Sequence, residues 1–392
     1  MPGRGRMAVQ RLVVTRFRNY VRAGLALDHR HVVLTGENGA GKTNLLEAVS
    51  FLAPGRGLRG ARLSEVSRQG PAAGAAPADA ASAPWGVAAT VTGPAGTVDI
   101  GTGLAATPDG DKRIVTIDGV RKSGSGVLGD YVRVLWLTPQ MDRLFAEGAG
   151  GRRRFLDRMV LGFDPGHPAR VAAYEKAMRE RTRLLAEDRR DRAWLAGLEG
   201  QMAEHGLAIA AARAHAVRQL AAAIAAAPES AFPQAAIALD AGFETAPGED
   251  ILTIASVDAE DAFRARLEAA RGRDAAAGRA LEGPHRADLA ARHLGKDMDA
   301  AACSTGEQKA LLIGLVLANA RALAAGQGAP PLLLLDEVAA HLDARRRAAL
   351  FDELDRLGAQ AWMTGTDTSL FEALGERAQH IDVADAELTP RP

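Results

Sequence analysis

Eight residues constrain this chain more than any other stretch. Gly36-Glu37-Asn38-Gly39-Ala40-Gly41-Lys42-Thr43 fits the pattern G-x-x-x-x-G-K-[ST]. Glycines allow the backbone to close around phosphate oxygens with its N–H groups pointing inward. Lys42 supplies a fixed positive charge for the β- and γ-phosphates, and the Thr43 hydroxyl is a ligand for Mg²⁺. The flanks suit this role. His31–Thr35 reads as a buried strand feeding the loop, and Asn44–Val49 as a helix whose N-terminus faces the anion. Strand, loop and helix in this order predict an α/β fold. They also predict bound ATP with Mg²⁺, held by Gly36, Glu37, Asn38, Gly39, Ala40, Gly41, Lys42 and Thr43.

A second stretch completes the expectation. Pro331–Leu335 is an apolar run ending in Asp336 and Glu337. A buried parallel strand explains the leucines but not two adjacent acids at its end, where unpaired charge is costly. Beside a phosphate loop, Asp336 is expected to hold Mg²⁺, directly or through water. Glu337 is expected to orient the attacking water, so that Lys42 and Glu337 carry the catalytic roles. Further upstream, Ser304 and Glu307 form an S-x-x-E capping box ahead of the apolar helix Ala310–Ala322.

Composition narrows the class. The 392 residues are 47% hydrophobic and 24% charged, ordinary for a globular protein, and only 4% aromatic, which predicts an aliphatic core. The single cysteine, Cys303, excludes an intrachain disulfide and fits a reducing compartment. The basic start lacks an apolar leader, and the most apolar stretch, Ala310–Ala325, reads as a buried helix rather than a membrane span. The expected location is therefore the cytoplasm. Net charge is zero, yet its distribution is uneven. Arg56, Arg59, Arg62 and Arg68 stand against Glu65 alone between Phe51 and Gly70, and Arg152-Arg153-Arg154 form a run. Asp240 to Asp261 carries seven acidic residues and no basic one. A solvated face explains many such charges, while the asymmetry also suits a DNA-facing surface.

Along the chain, Ala8–Phe17 and a segment starting at Leu25 read as strands before the loop strand. Gly70–Pro84 is low in complexity and reads as a connection. Trp85–Val91, Thr97–Gly101, Arg113–Val120 and Val132–Thr138 read as short strands of an antiparallel layer. From Tyr174 to Ala225 the chain lacks proline and has helical spacing, with Gly197, Gly200 and Gly206 expected to interrupt a long coiled coil. The expected division is 8–165 and 276–385 for the two halves of a nucleotide domain, with a helical lobe at 166–275.

The order of these features resembles the ABC ATPase superfamily, whose nucleotide domains begin strand, strand, phosphate loop, helix. That resemblance implies an ABC-type P-loop ATPase head of mixed sheet and helices with an inserted helical lobe. It makes Pro331–Glu337 the Walker B element and Ser304-Thr305-Gly306-Glu307 a variant of the signature, with Ser304 and Gly306 facing nucleotide on the opposite subunit. Gln140 stands where the Q-loop glutamine contacts nucleotide and metal. His341-Leu342-Asp343 matches the D-loop, and Thr364 or Thr366 occupies the place of the switch histidine. Lys42 and Ser304 lie 262 positions apart, too far for most transporter subunits and too near for SMC coiled coils.

Within that superfamily the chain is similar to the RecF family of bacterial replication and repair proteins. The resemblance rests on Phe17-Arg18-Asn19-Tyr20, the arginines after the first helix, Arg152-Arg153-Arg154-Phe155-Leu156-Asp157, Gly283-Pro284-His285-Arg286 and the Thr364-Gly365-Thr366 switch. It runs from about residue 8 to 367. It implies an ATP-dependent homodimer on DNA gaps or junctions, acting with RecR and RecO to help RecA assemble and to support the SOS response. Hydrolysis would be weak, DNA-stimulated and used as a switch. The DNA contacts would fall on Arg56, Arg59 and Arg62, or on Arg152, Arg153 and Arg154. A nucleotide-switched scaffold without DNA contact is the alternative.

Overall fold

The computed structural model describes residues 6–68, 84–94, 96–107, 110–187, 191–227, 230–240 and 256–391. The low-complexity run from Gly70 and much of the acidic stretch lie outside them. The chain forms two compact units. One comprises Met1–Asp142, Pro228–Phe232 and Leu312–Pro392, the other Arg143–Ala227 and Pro233–Leu311. The helical insertion is thus wider than 166–275. Its borders follow packing: the Arg152–Asp157 segment and the Gly283–Asp288 segment bond to one another, so neither belongs with the nucleotide halves.

The first unit begins with β1 (Ala8–Phe17), β2 (Tyr20–Ala26) and β3 (His31–Thr35), followed by helix α1 (Lys42–Ser50) and the single turn α2 (Leu63–Val66). Next come β4 (Gly86–Gly93), β5 (Gly96–Thr107), β6 (Gly110–Ile117), β7 (Val120–Lys122) and β8 (Val134–Leu137). Six strands make an antiparallel sheet in the order β2-β1-β4-β5-β6-β7. The fourth expected strand of that layer goes elsewhere: β8 pairs in parallel with a strand nearly two hundred residues later. Its four residues are all buried, and a run without alternation suits a parallel sheet covered on both faces.

In the second unit, α3 (Ala149–Phe163), α4 (His167–Ala186) and α5 (Arg192–Ala225) precede β9 (Ala235–Asp240), α6 (Ser256–Ala269) and α7 (Arg271–Ala277). A small antiparallel sheet joins β9 to β10 (Asp288–His293) and β11 (Met298–Asp299). Helix α5 runs unbroken for 34 residues through all three glycines. Gly206 is there for contact rather than interruption. A Cβ at that position would sit 3.0 Å from Phe263 and 3.2 Å from Tyr174, both buried in the unit's core.

Helix α8 (Thr305–Gln327) carries the unit boundary, and the chain ends in the first unit with β12 (Leu332–Leu335), α9 (Ala344–Leu357), β13 (Ala361–Gly365), β14 (Ala378–Ala384) and β15 (Glu387–Pro390). At 23 residues α8 is long and apolar enough to cross a bilayer, so length does not argue against a span; 72% of its most apolar window is buried inside the protein. The second sheet of the first unit has the order β15-β14-β3-β13-β12-β8, parallel except for β15. The four leucines of β12 are at most 4% exposed, and each contributes roughly 1.5–3 kcal/mol by leaving water. Phe17, Phe51 and Trp85 pack edge-on or tilted, with centroids 4.8–5.9 Å apart, beneath the end of α1. This core fixes β3 and β12 as neighbours of β13, and the loops at their C-terminal ends make the site.

Candidate nucleotide-binding site

The phosphate loop leaves β3 at Gly36 and enters α1 at Lys42. At two points both its backbone conformation and its close packing demand glycine. Gly36 and Gly41 have φ of 154° and 118°. A Cβ at Gly36 would lie 2.1 Å from the Val383 carbonyl oxygen, and one at Gly41 would lie 2.6 Å from both Asn19 Nδ2 and Tyr20 Oη. Lys42 is buried and folds back over the loop, donating from Nζ to the carbonyl oxygens of Gly36 (2.6 Å) and Glu37 (2.8 Å). Burial holds its pKa below the usual lysine value, while Glu337 and Asp336 oppose that shift. The ammonium thus lies on the loop with partners that an anionic oxygen can replace.

The two halves predicted from separate stretches meet here. Thr43 donates from Oγ1 to Asp336 Oδ1 at 2.9 Å. Thr364, at the end of β13, donates to the same oxygen at 2.8 Å and accepts the Glu337 N–H at 2.9 Å. Asp336 is 7% exposed, and Glu337 holds a left-handed φ of 53°. Of the two threonines proposed for the switch position, Thr364 is bonded to the carboxylate strand and Thr366 is exposed. Gln140 is exposed in the short turn Pro139–Arg143 after β8, whose Leu137 carbonyl accepts the Asp336 N–H at 2.9 Å. Asp343 caps α9 by accepting the Arg346 N–H at 2.8 Å. No group of three or more His, Cys, Asp or Glu placed to hold a metal ion is present among the described residues. The donor set Thr43 and Asp336 suits Mg²⁺, which takes one or two carboxylates and completes its shell with water and phosphate oxygens.

The turn between β1 and β2 supplies positioning groups whose role no spacing reveals. Asn19 Nδ2 donates to the Ala40 carbonyl at 3.1 Å and Tyr20 Oη to the Gly41 carbonyl at 3.1 Å, so both grip the phosphate loop from behind. Burial pushes the Tyr20 phenol up, which keeps its proton in place to donate. Arg18 makes a two-point pair with Glu47 on α1, at 2.7 Å each. Glu47 is fully buried and also accepts from Arg59 at 2.6 Å. Arg59 further donates to Asn44 at 2.8 Å. Arg59 is exposed, as Arg56 and Arg62 are, but its guanidinium braces α1.

In the second unit, Ser304 precedes α8. Glu307 reaches back to the Ser304 N–H at 3.0 Å, as a capping box requires. The Ser304 hydroxyl departs from that pattern and donates to the same carboxylate at 2.9 Å. An ion pair to Lys296, reinforced by Ser304, holds Glu307 down at about 2. Ser304 and Gly306 are exposed. The arginine run divides by direction. Arg152 makes a two-point pair with Asp288 at 2.7 and 2.8 Å, Arg153 donates to the Ala287 carbonyl at 2.9 Å, and Arg154 is exposed. His285 accepts from Tyr174 at Nδ1 (2.8 Å) and donates from Nε2 to the Ala280 carbonyl (3.1 Å).

A glycine-lined loop under a lysine, joined through a threonine to a carboxylate at the end of the next-but-one parallel strand, defines the nucleotide-binding head of a phosphate-loop protein. The family model described as the RecF/RecN/SMC N terminal domain matches residues 8–387. The chain is 52% identical over 382 residues to the DNA replication and repair protein RecF of Allorhizobium ampelinum, covering 97% of this chain and 98% of that protein. It is 52% identical over 385 residues to its counterpart in Agrobacterium fabrum, covering 98% and 99%. The chain belongs to the RecF family. Among solved structures it is similar to the recombination mediator protein RecF-ATPrS of the RecFOR pathway, with a TM-score of 0.81 and 21% identity over 98% of both chains. A Pyrococcus furiosus Smc head with an extended coiled coil gives a TM-score of 0.53 at 16% identity, covering 98% and 96%. The fold is therefore that of an ABC-type ATPase head.

Proposed function

We propose that this protein is an ATP-switched, DNA-binding recombination mediator of single-strand gap repair. The observation that carries the proposal is the bonded set Lys42, Thr43, Asp336 and Thr364 in a chain half identical to RecF proteins along nearly its whole length. ATP would lie along the phosphate loop with Mg²⁺ on Thr43 and Asp336. The bound pair supplies a polarised γ-phosphate, and Glu337 orients the attacking water. Ser304 and Gly306 of one chain would complete the site of a second, making ATP the cement of a homodimer. Gln140 would reach the nucleotide and its metal. The dimer would sit on gapped DNA, work with RecR and RecO, and support RecA assembly and the SOS response in the cytoplasm. Hydrolysis, weak and DNA-stimulated, would reset it.

The exposed Arg56, Arg62 and Arg154 are the candidates for DNA phosphate contacts. The internal bonds of Arg59, Arg152 and Arg153 favour a second reading, a nucleotide-switched scaffold that does not touch DNA. One experiment separates the two. Glu337→Gln should bind ATP and persist as a dimer by light scattering. That dimer should shift gapped DNA with an affinity that falls steeply with salt. Replacing Arg56 and Arg62 by Ala should flatten the slope by about one unit for each DNA phosphate no longer neutralised. An ATP-bound monomer defeats the switch, and an ATP dimer indifferent to DNA at low salt selects the scaffold.

A further inference from the structure

The position after the Walker B neighbour strand holds no histidine here, and three residues compete for its role. Gly365 has no side chain, and a Cβ there would lie 2.6 Å from Cε2 of the buried Phe371, which would have to shift. Thr366 is exposed. Thr364 is 1% exposed and uses its hydroxyl in both directions, donating to Asp336 Oδ1 at 2.8 Å and accepting the Glu337 N–H at 2.9 Å. Glu337 needs such an anchor, because its φ of 53° belongs to a region that non-glycine residues enter only under constraint. Asp336 Oδ1 has two hydroxyl donors, Thr43 and Thr364. Thr43, on α1, is the one a cation would claim; Thr364, on β13, is free of that competition.

We infer that Thr364 is a positioning residue for both carboxylates, fixing Asp336 through its donated hydrogen bond and Glu337 through its accepted one. It serves turnover rather than affinity, since it bonds to the Asp336 carboxylate and the Glu337 backbone and not to the phosphate loop. The inference rests on the proposed ATPase reading and goes beyond it by assigning the switch position to a residue that works from behind.

Thr364→Val keeps the shape and removes both hydrogen bonds, while Thr364→Ser keeps both. The valine protein should lose about tenfold to a hundredfold in kcat, the scale of two buried hydrogen bonds. Its KM for ATP and its ATP affinity without turnover should stay within about threefold of wild type. The serine protein should regain most of the missing turnover. Without nucleotide, hydrogen exchange across residues 332–340 should gain one fast amide, that of Glu337, in the valine protein only. Equal losses in valine and serine proteins, unchanged turnover in the valine protein, or unchanged exchange would each overturn the inference. A wild-type protein that neither binds nor hydrolyses ATP would overturn the ATPase reading instead, and the exchange arm would still report on the hydrogen bond.

Discussion

The core of the helical unit and the nucleotide site hold buried charge in opposite ways. In the helical unit Arg181 is 0% exposed and closed in by Glu199 (2.9 Å), Asp274 (2.6 Å) and the Leu267 carbonyl (2.6 Å). Arg213 likewise makes a two-point pair with Asp157, which His167 also contacts at 2.8 Å. These groups have permanent partners of opposite charge. At the nucleotide site Lys42 rests on carbonyl oxygens of its own loop, and Asp336 is shared between two hydroxyls. Partners there are neutral and replaceable. A fixed ion network specifies a shape, whereas a charge held by neutral dipoles keeps its capacity for a ligand of opposite sign.

That contrast is open to a double dissociation. The largest effect should come from Arg181→Met, which leaves the buried Asp274 carboxylate without its arginine and Glu199 with Arg271 alone, and should cost about 3–5 kcal/mol in urea unfolding. ATP affinity of the folded fraction should be unchanged; a large loss of affinity without loss of stability would collapse the distinction. Lys42→Met should do the reverse. ATP affinity by calorimetry should fall about 10- to 100-fold, the range for hydrogen bonds from a charged group. The nucleotide-free protein should unfold no earlier than wild type. A lowered lysine pKa means that the folded state binds the proton more weakly than the unfolded chain, so the charge is a burden on the empty fold.

The smallest effect sharpens the comparison at its edge, where solvent screens the pair. Arg152 holds the Asp288 carboxyl below its ordinary range. A depressed acid contributes stability that is present above its unfolded pKa and lost as pH falls through its folded one. Arg152→Ala should therefore cost less than about 1 kcal/mol near neutrality. The gap to wild type in thermal unfolding should close as pH falls below the carboxylate range. A gap independent of pH would assign Arg152 to packing alone.

The legible parts of the site were those written contiguously. Gly36–Thr43 and Leu332–Glu337 each carry their chemistry within a few residues, and a parallel sheet brings their ends together by topology. What the sequence hides is pairing over distance. Nothing in Arg152-Arg153-Arg154 distinguishes an arginine turned to Asp288, 136 positions away, from one turned to solvent. Successive helical residues differ by about 100° in direction, so a run of like charges is not a surface. Val132–Thr138 was readable as a strand but not by sheet, because its partner β12 lies beyond the inserted unit. Thr364 gave a signal only as a departure from histidine, and Glu47 gave none.

The grip of Asn19 and Tyr20 on the carbonyls of Ala40 and Gly41 bears on how far a motif is a part. Eight residues name the phosphate loop, yet its curvature is set from a hairpin more than fifteen positions upstream, at whose turn Arg16 and Arg18 both adopt left-handed backbone. Grafted into another strand–helix junction, the same eight residues would carry their chemistry without their mould. The heritable unit here is the loop together with its hairpin, and an insertion between β1 and β2 would reach the nucleotide site without altering any residue of the motif.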